Sequence, residues 1–444
     1  MADAVGAIAA REGDRDAGLR RGIGSIGLAA AIVNITVGAG IFSLPSGMAK
    51  AAGPYALLAY LLCAVAMAAV VLCCAEAGSR VPTSGGIYGY VEAAFGPLAG
   101  FNAGMLVWVG SVLASGGITA AVAGAVAHLW PALASPVPRA LFIVASVTPI
   151  LVMNCLDVRA ATRIISVATA VKLVPLVLFV GVGLLFFDPH RFVASAGVAP
   201  ISGIGRAILL ALFAFQGMET VLAANGEVKT PGRTLPRALI GAMAFIAVLY
   251  ISIQVIAQGL LGSDLAGSAA PLADALARID PRLGLVILIG TVISMYAWIG
   301  SDVLGASRVL FAFSRDGFLP KVVGRLSGRS QAPVVAVLVH GGLVMLLAIS
   351  GTFEQLAVLS ALAACLLYIG ACAAAWRLSR SGVALADKPL GMPGIGIWAG
   401  LGVVSMAAAI AVAKPVEIAG LAAATVVTCA LYWIARRARP APST

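Results

Sequence analysis

Two glycines interrupt the first long apolar stretch of this chain. Gly38 and Gly40 lie in the run Val-Gly-Ala-Gly-Ile-Phe-Ser-Leu-Pro at residues 37–45, where a helix buried in lipid would need to be continuous. An unpaired backbone N–H or C=O in hydrocarbon costs several kcal/mol, so a broken helix is tolerated only where it lines a cavity or contacts a ligand. The break is therefore a candidate binding site.

Composition places the chain in a membrane. It is 61% hydrophobic and 11% charged, which leaves too little polar surface for a soluble globule of 444 residues. Its apolar blocks of about 18 to 30 residues can cross a hydrocarbon core of about 30 Å as helices, whereas barrel strands would be shorter and alternating. The pattern predicts an all-α membrane protein with twelve spans, at about residues 24–50, 55–79, 98–128, 139–156, 163–187, 205–224, 237–261, 283–313, 333–350, 355–376, 392–413 and 415–436.

The distribution of positive charge predicts the orientation. An even number of spans puts both termini on one side, and 20 of the 29 Lys and Arg residues fall in segments on that side, against 7 opposite. This predicts cytoplasmic termini, with residues 1–23 and 437–444 as tails and 24–436 as one membrane domain. The net charge of +11 is spread over short loops and does not indicate nucleic-acid binding. An Ala- and Gly-rich chain without a targeting segment suits a bacterial inner membrane.

The remaining composition excludes several kinds of site. The seven cysteines and three histidines show no metal-ligand spacing, so neither a metal site nor a disulfide framework is predicted. His340 is alone in an apolar helix and is interpreted as uninformative. The chain lacks a Gly-rich phosphate loop ending in Gly-Lys-Ser/Thr, so no nucleotide or other cofactor is expected.

A second break falls in the sixth span, five spans after the first. The run Phe-Ala-Phe-Gln-Gly-Met-Glu at residues 213–219 places a glycine and two polar side chains in an otherwise apolar helix. Because five is odd, the two broken helices run in opposite directions, as an inverted repeat of residues 24–187 on 205–376 would produce, with 392–436 as extra helices. The two breaks should then meet near the midplane.

The ends of broken helices can bind a zwitterion. N-terminal ends present free N–H groups and a partial positive charge, and C-terminal ends present free carbonyls and a partial negative charge. The N–H groups around Ala39 and Gly40 are predicted to bind a carboxylate. Carbonyls are predicted to bind an ammonium group at Val37, Phe213, Ala214 and Gln216. An amino acid is the smallest common metabolite that carries both charges.

Four segments in this order resemble the amino acid-polyamine-organocation transporters. They are Gly-Ala-Gly-Ile-Phe at 38–42, Pro-Thr-Ser-Gly-Gly-Ile-Tyr at 82–88, the sixth-span run with Glu-Val-Lys-Thr-Pro at 227–231, and Ser-Arg at 307–308 with Ser-Arg-Asp-Gly-Phe-Leu-Pro at 314–320. The resemblance covers residues 24 to 436. It implies a five-plus-five inverted repeat with broken helices 1 and 6, alternating access around a central amino-acid site, and coupling to protons or exchange. The implied substrate site adds Ile41, Gly217 and Glu219.

Lys172 is a charged residue inside the predicted fifth span. It lies about nine residues from the cytoplasmic end, about 13 Å deep, which is too far for easy snorkelling. A lysine buried in a membrane can give up its proton. For family members with a lysine at this position, the resemblance implies that the charged lysine takes the place of a bound sodium ion. Lys172 is therefore a proton-coupling candidate, and a permanent structural ion pair is the alternative.

Asp302 lies near the middle of the eighth span. An ionised carboxylate there costs at least about 2.5 kcal/mol unless it faces protein or water, so Asp302 is predicted to face inward. It could pair with Lys172, bind a cationic substrate side chain with Trp298 as an aromatic wall one turn away, or be structural. Asp302 departs from the usual family pattern, so the resemblance does not assign the substrate.

Three further residues have expected roles. The resemblance implies that Glu219 lines or gates the substrate site, and a structural hydrogen bond is the alternative. It also implies that Phe213 is a gating aromatic residue, and ordinary packing is the alternative. Glu76, next to Arg80 at the end of the second span, is expected to be solvated or to pair with a loop.

The sequence thus predicts a secondary active amino acid transporter and not an enzyme, since no nucleophile with a base or metal cluster is present. A channel would need a continuous hydrophilic pore, and few spans carry a repeated polar face. Proton-coupled uptake is the leading interpretation. A cationic amino acid or polyamine exchanger is the alternative. The expected partners are an amino acid, protons and the lipid bilayer.

Overall fold

The computed structural model describes residues 22–83, 85–156, 172–193, 201–223, 225–328, 330–385 and 389–438. These residues are helical, apart from loops and one isolated bridge between Ile23 and Val228. The α-helices are Ser25–Thr36, Leu44–Ala52, Ala56–Arg80, Ile87–Phe95, Pro97–Leu129, Pro136–Leu156, Leu173–Leu185, Pro189–Val193, Ile201–Phe215, Met218–Leu222, Pro231–Leu261, Pro271–Ala277, Pro281–Arg315, Val334–Ser350, Phe353–Arg380, Ile395–Ala411 and Pro415–Ala438.

The predicted spans are present in the predicted order. Eight helices are long and apolar enough to cross a membrane, and four shorter apolar helices accompany them: Ser25–Thr36, Leu173–Leu185, Val334–Ser350 and Ile395–Ala411. Some boundaries differ by several residues. The seventh span begins at Pro231 and not at 237, because Pro231 is at the first helical turn, where its missing N–H costs nothing. The start of the predicted fifth span and most of both tails lie outside the described residues.

The first span is broken where the sequence predicts. The helix Ser25–Thr36 is followed by the C-cap residue Val37, a 3-10 turn covers Ala39–Phe42, and a second helix runs over Leu44–Ala52. Glycine is a poor helix former and Pro45 fits the first turn of the second half, so the local residues favour two short helices over one long one. The sixth span is divided likewise into Ile201–Phe215 and Met218–Leu222.

The segment after the second span forms a tight turn followed by a nine-residue helix, Ile87–Phe95. Gly86 has φ +56°, and a Cβ at this position would lie 2.7 Å from the backbone carbon of Leu222. The N–H of Gly85 donates to the carbonyl of Ala223. Glycine is therefore required where this turn packs against the end of the sixth span.

Glu76 and Arg80 form a buried ion pair that holds the loop before the eleventh span. The Nε of Arg80 donates to Oε1 of Glu76 at 2.7 Å, and its other nitrogens donate to the carbonyl of Val383 and the hydroxyl of Ser379. The N–H of Met392 donates to Oε2 of Glu76. The pairing with a loop is confirmed, whereas the solvated alternative is wrong, because the Glu76 side chain is 0% exposed.

Removing one partner of this pair is expected to destabilise the protein. Arg80→Met leaves the Glu76 carboxylate buried without a cation, which costs about 3–5 kcal/mol. The matched control is Arg278→Ala, which breaks an exposed pair with Asp264 and changes stability by about 1 kcal/mol or less. Thermal unfolding in detergent measures both. Equal losses of melting temperature would contradict the structural role of the buried pair.

Candidate functional site

A cavity of about 1120 Å³ lies between the two helix breaks and extends toward the side of the chain ends. Around the breaks it is lined by Gly38, Gly40, Phe213, Gln216, Gly217, Glu219, Trp298 and Asp302. Toward the chain ends it is lined by Pro97, Arg308, Arg315 and Arg436. The cavity therefore gives access from one side of the membrane to the point where the two breaks meet.

The glycines of the first break allow two aromatic rings to approach the backbone. A Cβ on Gly38 would lie 2.8 Å from Nε1 of Trp298, and one on Gly40 would lie 2.7 Å from Cε1 of Phe213. Ala39 and Gly40 open the 3-10 turn, and the first N–H groups of a helix have no acceptor within it. The break thus combines free N–H groups with aromatic walls.

The sixth-span break is built around Gly217, which has φ +122°. Its N–H donates to Oε2 of Glu219 at 3.0 Å, and the hydroxyl of Tyr368 donates to the same oxygen at 2.9 Å. The Ser360 hydroxyl contacts both Oε1 of Gln216 and the carbonyl of Gly110 at 2.9 Å. Glu219 and Gln216 therefore tie the break to the tenth span.

The two breaks are in direct contact, as the inverted repeat predicts. A Cβ on Gly217 would lie 2.9 Å from the Ile35 side chain and 3.1 Å from the backbone of Thr36. The Tyr250 hydroxyl donates to the carbonyl of Thr36 at 2.7 Å, and Nε1 of Trp298 donates to that of Ile35 at 3.2 Å. Two of the last carbonyls of the first half-helix therefore already accept side-chain donors, which the sequence did not indicate.

Phe213 lies on the closed side of the site. Its ring meets that of Phe353 edge to face, with centroids 5.8 Å apart. Nearby, the Ser46 hydroxyl donates to the carbonyl of Ala266, and Nζ of Lys50 lies 3.5 Å from Oε1 of Glu354. The cavity is therefore closed on the side away from the chain ends.

Lys172 lines the same cavity and is 4% exposed. It immediately precedes the helix Leu173–Leu185. Within the described residues, no carboxylate lies within ion-pair distance of its ammonium group. The pairing of Lys172 with Asp302, one of the options raised by the sequence, is thus not observed.

Asp302 instead contacts the third and ninth spans. Its Oδ1 accepts from the Ser111 hydroxyl and its Oδ2 from that of Ser115, each at 2.5 Å. Nε2 of His340 lies 3.2 Å from Oδ2, close enough for an ion pair but without the alignment of a hydrogen bond. The interpretation of His340 as an isolated residue is wrong. The ninth span is rotated about its axis so that His340 faces Asp302, which the sequence does not show. The spacing of Ser111 and Ser115, four residues apart, does indicate one polar face on the third span.

Comparison with known proteins shows the family. The amino acid permease family model matches residues 23–435. The branched-chain amino acid permease BcaP of Bacillus subtilis is 27% identical over 79% of this chain and 78% of its own length. Cationic amino acid transporter 4 of Mus musculus is also 27% identical, over 78% of this chain, and the match spans only 58% of the mouse protein.

A solved structure supports the fold. The crystal structure of MhsT in complex with L-phenylalanine superposes with a TM-score of 0.59 and 15% identity, over 89% of this chain and 99% of that one. The all-α membrane fold with broken first and sixth helices is confirmed by this likeness and by the contact between the breaks. The chain belongs to the amino acid permease family and is an amino acid transporter of multi-pass membrane architecture.

Proposed function

We propose that this transporter takes up neutral amino acids with protons by alternating access. The observation that carries the proposal is the meeting of two broken helices in a cavity that also contains the buried lysine Lys172. The half-helix ends supply complementary partial charges for a zwitterion, and the lysine supplies a group that can exchange a proton with cavity water.

The substrate backbone would lie between the breaks. Its carboxylate would accept from the N–H groups of Ala39 and Gly40, and its ammonium would contact carbonyls at Val37, Phe213, Ala214 or Gln216. Ile41, Gly217 and Glu219 line or shape this space, and Trp298 forms the wall beside Gly38. Phe213 would act as the gate, since it already covers Gly40 on the closed side.

The cavity opens on the side of the chain ends. With both termini cytoplasmic, as the excess of Lys and Arg on that side favours, this is an inward-facing conformation in a cell inner membrane. The outward-facing state would then require separation of the contacts among Phe213, Phe353 and the loop at Ala266. Neither a nucleotide nor a metal is part of this cycle.

A cationic amino acid or polyamine exchanger is the alternative, because Asp302 is a carboxylate on the cavity wall and one relative is a cationic amino acid transporter. Three contacts weigh against a role of Asp302 as the receptor for a substrate cation. Both oxygens of Asp302 already accept serine hydroxyls, and His340 lies against one of them. A substrate cation would have to compete with these neighbours.

Uptake into proteoliposomes tests the proposal. We expect labelled neutral amino acids to accumulate up to about ten-fold above the external concentration with an inward proton gradient of about one pH unit, because that gradient is worth about 1.4 kcal/mol per proton, and not to accumulate after its collapse by an ionophore. Lysine, arginine and polyamines should not compete. Uptake that requires a preloaded partner and is inhibited by cationic amino acids would establish the exchanger instead.

A further inference from the structure

A carboxylate that lines the cavity and a fully buried imidazole behind it face each other between the eighth and ninth spans. His340 is 0% exposed, and neither of its ring nitrogens has an aligned hydrogen-bond partner among the described residues. Its Nε2 lies 3.2 Å from Oδ2 of Asp302, whose side chain is 14% exposed. Because Asp302 lines the cavity, water in the cavity can reach the pair.

The charge of the pair depends on one proton. A carboxylate beside a neutral imidazole leaves a net negative charge within the membrane, which is costly unless it is compensated. Two serine hydroxyls, from Ser111 and Ser115, donate to the carboxylate and stabilise its negative charge. An added proton is therefore best placed on His340, where the imidazolium and the carboxylate compensate each other.

We propose that Asp302 and His340 form a proton-binding site in the cavity wall, separate from Lys172. The binding of a proton at this site changes the affinity for substrate. On binding, a hydronium ion in the cavity gives its proton to the free lone pair of the neutral imidazole. One O–H bond breaks, one N–H bond forms, and a water molecule remains. The inference deepens the proposed function, because it rests on proton-linked transport and adds a second site to it.

The position of the pair connects it to the substrate site. Trp298 lies one helical turn before Asp302 on the same helix and donates to the carbonyl of Ile35 at the first break. A shift of the eighth span that accompanies protonation of His340 beside Asp302 would therefore move the ring beside Gly38. The eighth span therefore carries one residue of the pair and one residue of the substrate site, so it can couple protonation to substrate binding.

Other charged groups around the pair lie on several elements. Arg308 follows Asp302 on the eighth span and donates to the carbonyl of Leu304. Tyr296 lies on the eighth span, and the helices packed against that span carry His128, Arg139 and Lys172. The titratable or charged residues that line the rest of the cavity are Tyr88, Glu92, Glu219, Glu227, Tyr250, Arg315, Asp316, Tyr432 and Arg436. Asp157, Arg159 and Arg163 fall outside the described residues. Among the residues with described side chains, His340 is the group within ion-pair distance of Asp302.

Nuclear magnetic resonance of protein labelled with ¹⁵N-histidine in lipid nanodiscs tests the site without transport. The chain has three histidines, so His340→Gln assigns the signal, and His190→Gln at an exposed position is the matched control. We expect both the protonated and the neutral form of His340 to be detected as the pH is varied, and Asp302→Asn to lower the fraction of the protonated form at a given pH, because it removes the negative charge 3.2 Å from the ring. A ring that stays in one form at every pH, or a fraction that Asp302→Asn leaves unchanged, overturns the proposal.

Substrate binding tests the link to transport. We expect the affinity of the purified protein for its amino acid to change at least about three-fold between pH 5 and pH 8, and this change to be lost in His340→Gln but retained in His190→Gln. Asp302→Asn combined with His340→Gln should have no larger effect than His340→Gln alone. An unchanged pH profile in His340→Gln overturns the link.

The two failures are distinguishable. If no proton gradient drives uptake but protonation of His340 depends on Asp302 and changes the affinity for the amino acid, the proposed proton coupling fails and the proton-binding site stands. If the gradient drives uptake through Lys172 but His340 is not protonated at any pH, the proposed proton coupling stands and the second proton-binding site fails.

Discussion

Gly217→Ala is expected to abolish transport and to destabilise the protein by about 1–3 kcal/mol. Gly217 has φ +122°, a conformation that L side chains rarely adopt. The added Cβ would also meet the Ile35 side chain at 2.9 Å and the backbone of Thr36 at 3.1 Å. Backbone atoms of a packed helix cannot move aside as a flexible side chain can, so the substitution should push the two breaks apart.

The control for this experiment is Gly27→Ala in the first half-helix. A Cβ at Gly27 has no neighbour within 4 Å, so we expect uptake close to wild type and a stability change within about 1 kcal/mol. Initial rates of uptake and melting temperatures in detergent should be measured for both variants. Wild-type uptake by Gly217→Ala would show that the contact between the breaks is not required.

Gly40→Ala distinguishes an effect on the substrate site from an effect on the stability of the fold. Its Cβ would lie 2.7 Å from the ring of Phe213, a side chain that can rotate away. We therefore expect a large loss of uptake with a smaller loss of stability than Gly217→Ala. Combination with Phe213→Ala should give a non-additive result, because the second change removes the group that the first one displaces.

Lys172→Gln is expected to reduce proton-driven uptake by at least ten-fold, which corresponds to about 1.4 kcal/mol of lost coupling. Lys172 is 4% exposed in the cavity, and glutamine keeps much of its volume while it removes the exchangeable charge. Counterflow with preloaded substrate should be less affected, because exchange does not require net proton movement. Uptake should be measured with and without a pH gradient.

Lys172→Arg distinguishes the two roles that the sequence leaves open. Arginine stays charged, so a residue that must release its proton fails as arginine, whereas a partner in a permanent ion pair is largely replaced by it. Lys50→Ala is the matched control, since its exposed pair with Glu354 contributes little. Gradient-driven uptake that survives in Lys172→Arg would assign Lys172 a structural role.

Local sequence was sufficient for the class of protein and the position of the breaks. Apolar blocks predicted a helical membrane protein, and the glycines at residues 38, 40 and 217 marked where each helix stops. These features depend on the backbone of a few consecutive residues, so the residue types encode them directly. The neighbours Trp298 and Phe213, which explain why Cβ atoms are excluded at Gly38 and Gly40, appeared only in the folded structure.

The side-chain partners were decided by tertiary structure. Asp302 was predicted to face inward, but its contacts with Ser111, Ser115 and His340 depend on how the third, eighth and ninth spans rotate about their axes. Glu76 and Arg80 are four residues apart in the sequence, yet their burial depends on the loop that covers them. The sequence by itself determined that this chain crosses the membrane as helices broken at two glycine-containing runs. Because helices this apolar fit lipid or protein on almost any face, only their packing decided which polar groups meet.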